Sequence, residues 1–132
     1  KQKRFKVKDG AFAVLIPASS KLGEIIDISM GGFSCRYSDS QFLDNDRNGL
    51  AFLYNDRQMR LEEFSEFDIF LVDSGLYIER IPCKIISNLE IDDKKSSNSV
   101  SIKRCSIQFE ALSPKQISGL EYFIKNCTKG EV

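Results

Sequence analysis

Apolar and polar positions alternate over much of this chain, and a period of two predicts strands. The run "AFAVLI" at 11–16 is stopped by Pro17 and reads as a first strand. Residues 22–28 and 32–37 make two more, joined at Met30-Gly31. At 67–72, "FDIFLV" places Phe67, Ile69 and Leu71 on one face. A turn signal, "DSG" at 73–75, leads into a strand over 77–87, where Ile81, Cys83 and Ile85 alternate with Arg80, Pro82 and Lys84. Pro82 has no N–H to give a ladder, so an edge or a bulge is expected there. "RCSIQFEAL" alternates again, with Cys105, Ile107 and Phe109 inward. Phe12, Phe67, Phe70 and Phe109 are expected in the core. "LAFLY" at 50–54 reads as a short strand after an Asn48-Gly49 turn, "RLEEFSEF" as a helical turn or a loop, and polar 90–100 as a hairpin tip.

The period changes at the end of the chain. In "SPKQISGLEYFIKNC", Ser113 is placed as N-cap, Pro114 stands in the first helical position and Gln116 completes a capping box. Ile117, Leu120, Ile124 and Cys127 form the expected apolar stripe of a helix over about 114–127. About six short strands, mostly in sequential order and followed by a helix, predict a mostly β fold: an antiparallel barrel with a C-terminal α-helix. A barrel of this size fills its interior with side chains, so a ligand belongs on the outer face or at a rim.

Composition narrows the function. The chain has 132 residues, of which 42% are hydrophobic and 29% charged, fitting a single domain with its own core. Nineteen cations balance nineteen anions. Bulk charge therefore gives no pull toward a nucleic-acid polymer or an anionic membrane. Charge is concentrated only in "KQKRFKVK" at 1–8, with five cations and no anion. No apolar run reaches the ~20 residues of a membrane span. The chain starts at Lys1 rather than Met, as expected of a piece of a longer protein.

The four cysteines are well separated and there is no histidine, so no metal site is expected. Reduced, buried thiols in a cytoplasmic protein are the expectation. Without histidine, and without a GxSxG, Ser-x-x-Lys or phosphate-loop motif, no catalytic residue or cofactor is expected. The carboxylates of "LDND" and "EEFSE" lie in polar stretches and read as solvated surface.

The remaining chemistry lies in "GEIIDISMGGFSCRY" at 23–37, where Asp27, Ser29 and Gly32 make a D-x-S-x-x-G pattern between two strands. These residue types are also good turn formers. Upstream lies the basic segment, and downstream "IPCKII", "RCSIQF" and a helix after "LSP". This ordered set, spanning essentially the whole chain, resembles the PilZ domain family, bacterial receptors for the second messenger cyclic di-GMP. The resemblance implies a six-stranded antiparallel barrel over 11–132. It also implies a flexible basic clamp at 1–10, and a ligand-binding set of Lys3, Arg4, Lys8, Asp27, Ser29 and Gly32. It further implies cyclic di-GMP as ligand and a downstream protein partner.

The clamp departs from the family's R-x-x-x-R. Aligned on Phe5 the pair falls on Lys3 and Val7, and aligned on Arg4 it falls on Arg4 and Lys8. Lysine keeps the charge but not the planar fork. Arg36 and Arg104, on strands near the motif, are candidates to supply the missing guanidinium. Two readings follow: a cyclic di-GMP receptor, or a degenerate PilZ domain that binds no nucleotide and serves as a protein–protein module.

Overall fold

The computed structural model describes residues 3–16, 20–38, 51–54, 57–60, 65–92 and 102–132. Its elements are β1 (Phe5–Val7), β2 (Ala11–Ile16), β3 (Ser20–Ser29), β4 (Gly32–Ser38), β5 (Ala51–Tyr54), β6 (Arg57–Arg60), β7 (Glu66–Leu71), β8 (Tyr77–Asp92), β9 (Ile102–Phe109), α1 (Pro114–Asn126) and β10 (Thr128–Glu131). β2 pairs with β3, β3 with β4, β4 with β9, β9 with β8, β8 with β7, and β7 returns to β2. All six pairings are antiparallel, so the sheet closes on itself as a six-stranded barrel without free edges.

The alternation explains the interior. Ala11, Ala13, Ile25, Ile28, Phe33, Cys35, Phe67, Ile69, Ile81, Cys105, Ile107 and Phe109 are buried in one core. The Phe33 ring meets Phe67 edge-on at 6.5 Å and Phe109 at 5.8 Å, so aromatic rings fill the barrel. Phe12 and Phe70, expected inside, stand opposite each other on the outer face of β2 and β7 and are only half-buried. Each alternates with a buried neighbour, and Phe70 packs edge-on against Tyr77 of β8 at 5.7 Å.

Three strands among the described residues, β6, β1 and β10, go beyond those expected. β5 has a partner in β6, and the two form a separate hairpin. The two ends of the chain form a ribbon beside the barrel: β1 pairs with the end of β3, and β10 pairs with β1. Val7 is buried by this ribbon. The Asn48-Gly49 turn, residues 61–64 of the expected helical turn or loop, and residues 93–100 of the polar tip lie outside the described residues.

The helix starts as its sequence requires. Ser113 Oγ accepts from the Gln116 N–H, and Gln116 Oε1 accepts from the Ser113 N–H. Its buried face is Leu120, Phe123 and Cys127, while Ile124 is half-buried and Ile117 is 37% exposed. The expected stripe is therefore shifted onto Phe123. Gly119 sets the approach: a Cβ there would lie 3.2 Å from Ile78 Cγ1 of β8, so a glycine lets the helix sit close to the barrel.

β8 carries a bulge. Phe67 pairs with Ile81 and Ile69 with Ile78, so Asp68 alone faces Glu79 and Arg80. Arg80 has φ +51°, and the Asp68 carboxylate accepts its N–H at 2.7 Å. The Asp68 carboxylate also pushes the Tyr77 phenol up to about 12. The Gln116 side chain donates to the carbonyls of Glu79 and Arg80 at 2.9 and 3.0 Å, tying the bulge to the helix start. The bulge thus lies two residues before Pro82. Pro82 itself stands just outside the β8–β9 ladder, which opens at Cys83↔Phe109, and its carbonyl accepts from Glu110 N–H.

Candidate functional site

A second bulge builds the site. Strict alternation along "EIIDIS" would place Asp27 on the same face as Ile25, toward the core. Instead Ile25 pairs with Cys35 and Asp27 with Ser34, leaving Ile26 as an extra residue in β3. The phase changes there. Ile25 and Ile28 both enter the core, opposite Cys35 and Phe33. Asp27 joins Ser34 on the outer face, and Ser29 follows opposite Gly32.

Asp27 is held by two arginines. Arg4 gives Nε and Nη2 to Oδ1 at 3.1 and 2.6 Å, and Arg104 gives Nη2 to Oδ2 at 2.9 Å. Ser34 Oγ accepts from both guanidiniums, at 3.3 and 3.4 Å. The Asp27 side chain is 6% exposed, those of Arg4 and Arg104 40% and 38%. Two guanidiniums on one carboxylate leave one positive charge in excess. Both arginines line an open groove of about 670 Å³ shared with Ser29, Gly32, Ser106 and Gln108. Such a volume suits a small ligand.

The other motif residues have local work. Ser29 Oγ accepts from the Gly31 N–H at 3.0 Å and lies 3.5 Å from the Gly32 carbonyl, closing the Met30-Gly31 turn. Gly32 is buried against β9, where a Cβ would fall 2.1 Å from the Ile107 carbonyl oxygen.

Of the six residues the sequence pattern nominates, Arg4, Ser29 and Gly32 line this groove, and Asp27 is joined to it through its bonds to Arg4 and Arg104 while lining a neighbouring hollow. Lys3 lines a separate hollow with Phe5, Met30 and Ile124. Lys8 is turned to the end of α1, its Nζ 3.4 Å from the Asn126 carbonyl and its N–H bonded to Cys127. The physical reason is β1: once Phe5–Val7 is a strand, alternation and Val7 burial set the directions of its neighbours. Of the two strand arginines, Arg104 reaches Asp27, whereas Arg36 pairs with Glu24 at 3.0 Å. Ser34 is the site residue that motif reasoning missed. Its signal was its place between core-facing Phe33 and Cys35, which puts it outside.

The thiols offer no competing site. All four cysteines are free and buried. Cys35 faces Cys105 across β4 and β9, and that hydrogen bond, with burial, raises the Cys35 pKa well above its ordinary value. Burial pushes Cys83 up to about 12. Among the described residues no group of three or more His, Cys, Asp or Glu side chains is arranged to hold a metal ion. Nor is any helix among them long and apolar enough to cross a membrane.

No family model matches the chain. No curated protein sequence matches it either. Solved structures do. The PilZ domain of YcgR from Escherichia coli, with c-di-GMP, superposes with a TM-score of 0.60 at 17% identity, covering 96% of this chain and 89% of that one. MrkH, described as a c-di-GMP-dependent transcription regulatory factor, gives a TM-score of 0.57 at 16% identity over 95% of this chain, which spans about half, 49%, of MrkH. The closed six-stranded barrel, its C-terminal helix and these superpositions make this chain a PilZ-like domain in fold.

Proposed function

We propose that this chain is a cyclic di-GMP receptor domain, binding the dinucleotide in the groove beside Asp27 rather than catalysing a reaction. One observation carries the reading: Arg4, Arg104, Ser29 and Gly32 line a single open groove, and Asp27, which holds both guanidiniums from behind it, leaves one positive charge in excess. Cyclic di-GMP presents two phosphates and two guanines. A guanidinium can stack on a guanine or fork to its O6 and N7, and a carboxylate can accept from the guanine N–H groups. Gly32, whose missing Cβ leaves room for the β9 backbone, lines the groove beside Ser29. The YcgR and MrkH descriptions, which name the same dinucleotide, support the choice of ligand.

In this reading the ligand competes with Arg4 for Asp27. Arg4 precedes β1, whose links are to the end of β3 and to β10, so its movement leaves the six-strand ring intact. Reordering of this N-terminal segment is then the signal passed to a partner protein in the cytoplasm. Isothermal titration calorimetry with cyclic di-GMP tests the reading. Saturable binding is expected in the wild type and a loss of about 5- to 150-fold in Arg4→Gln, the worth of one good bidentate contact. Ser29→Ala and Asp27→Asn should also weaken binding, with thermal melts confirming that each variant is folded. Absence of heat and of any thermal shift at high ligand overturns it.

The second reading, a PilZ-like module that binds a protein and no nucleotide, draws on a different observation. Both Asp27 oxygens already have arginine partners, and Lys3 and Lys8 stand away from the groove. It predicts no nucleotide binding by the wild type, with binding of a partner protein retained in the absence of nucleotide.

A further inference from the structure

We infer that Arg104, from the far side of the barrel sequence, is the second ligand-binding arginine of this groove and replaces the one missing from the N-terminal segment. The inference rests on the reading of the groove as a cyclic di-GMP site. Arg104 lies on β9, paired with Arg36 of β4 on one side and Leu89 of β8 on the other, so its backbone is fixed within the closed ring. Its Nη2 is anchored by Asp27 Oδ2 at 2.9 Å and by Ser34 Oγ at 3.4 Å. Its Nε and Nη1 have no partner among the described residues, and 38% of its side chain is exposed at the groove wall. A guanidinium carries five donors in a rigid fork, so three or more remain for a ligand.

Among the described residues, Arg4 and Arg104 are the cations that line this groove. Arg36 is neutralised by Glu24, Lys8 is committed to the end of α1, and Lys3 borders another hollow. Asp27 carries one charge and Arg4 already supplies a positive partner, so Arg104 brings the surplus charge that a phosphodiester would neutralise. The placement also differs in kind from a flexible clamp. Arg4 belongs to the terminal ribbon and can be released, whereas Arg104 is held before ligand arrives. Such preorganisation lowers the ordering cost of binding.

The test uses the whole chain, calorimetric titration with cyclic di-GMP and side-chain NMR. Arg104→Gln should weaken binding by about 10-fold or more, and Arg104→Lys should keep part of it through charge alone. In the wild type the Arg104 Nε–H resonance, assigned by its absence in Arg104→Lys, should shift along the same saturation curve as the heat. A residue that merely holds Asp27 in place would leave that resonance on an unchanged chemical shift. If Arg104→Gln does not fold, the Arg104→Lys affinity and the wild-type resonance decide. Wild-type binding with an unshifted Nε–H, or with unchanged affinity in the Arg104 variants, overturns the role of Arg104 and leaves the receptor reading standing. No wild-type binding overturns both.

Discussion

Gly32→Ala is expected to damage the barrel itself, whether or not a ligand exists. An alanine Cβ at this position would sit 2.1 Å from the Ile107 carbonyl oxygen, 3.1 Å from Gln108 Cα and 3.2 Å from the Ile107 carbonyl carbon. These are backbone atoms of β9 and cannot turn aside as a side-chain tip would. β4 and β9 must therefore separate at this end, next to the bond from Phe109 N–H to the Gly31 carbonyl. Phe33, which fills the core beside Phe67 and Phe109, follows directly in sequence. Overpacking of this kind costs about 1–3 kcal/mol, and a buried hydrogen-bonding group left unpaired about 1–3 kcal/mol more. The sum, roughly 2–6 kcal/mol, is a large share of a domain's ordinary stability of about 5–15 kcal/mol. At ~2.1 cal/mol/K per residue over 132 residues, each kcal/mol moves Tm by about 3.6 °C, so a drop of roughly 7–22 °C is expected. Urea unfolding and a thermal melt measure it, with Gly75→Ala as comparison. Gly75 has φ +73° and open space where a Cβ would go, so only the conformational cost of about 1–2 kcal/mol applies there. A Gly32→Ala protein no less stable than Gly75→Ala would refute the reasoning.

Gln116→Ala should cost about 1–2 kcal/mol, because one side chain serves both the helix cap and the β8 bulge. Gln116→Glu keeps the acceptor for Ser113 but not the two donors, and should recover only part of that loss in urea unfolding. Stability should also fall in alkali. The Cys83 thiol titrates at about 12 in the folded chain against an ordinary 9.0, so between these values the unfolded chain has lost a proton that the folded one retains. The contribution is whole below 9.0 and declines by about 1.4 kcal/mol per pH unit above it, with Cys35 acting in the same direction. Urea midpoints compared at about pH 8 and about pH 10.5 should show a steeper fall in the wild type than in Cys83→Ala, and equal slopes would count against this account.

The barrel was legible because its signal is repeated. Six stretches alternate, and each pairing places residues such as Cys35 and Cys105, or Ile28 and Phe33, face to face in the core. The helix start was equally plain, since Ser113, Pro114 and Gln116 each meet a local requirement. What the pattern did not contain were the effects of partners distant in sequence. β10 exists because β1 offers it an edge, and "TKGE" has no strand period of its own. The helix face moved to Phe123 because of how α1 meets Ile78 at Gly119. In the site, D-x-S-x-x-G marked the right turn, yet two of its members are explained by the fold alone. Ser29 closes the turn, and Gly32 makes room for β9. Asp27 reaches the outer face only through the Ile26 bulge, which no period of two contains. The partnership of Arg4 and Arg104 spans 100 positions of chain and follows from the β3–β4–β9 register rather than from any motif.

The most direct test of the central claim is a calorimetric titration of the wild-type chain with cyclic di-GMP, run beside Arg4→Gln. The groove lined by Arg4 and Arg104 predicts saturable heat in the wild type and affinity weakened about 5- to 150-fold in the variant. Flat heats for a folded wild-type chain at high ligand, or equal affinity in the two proteins, would contradict it.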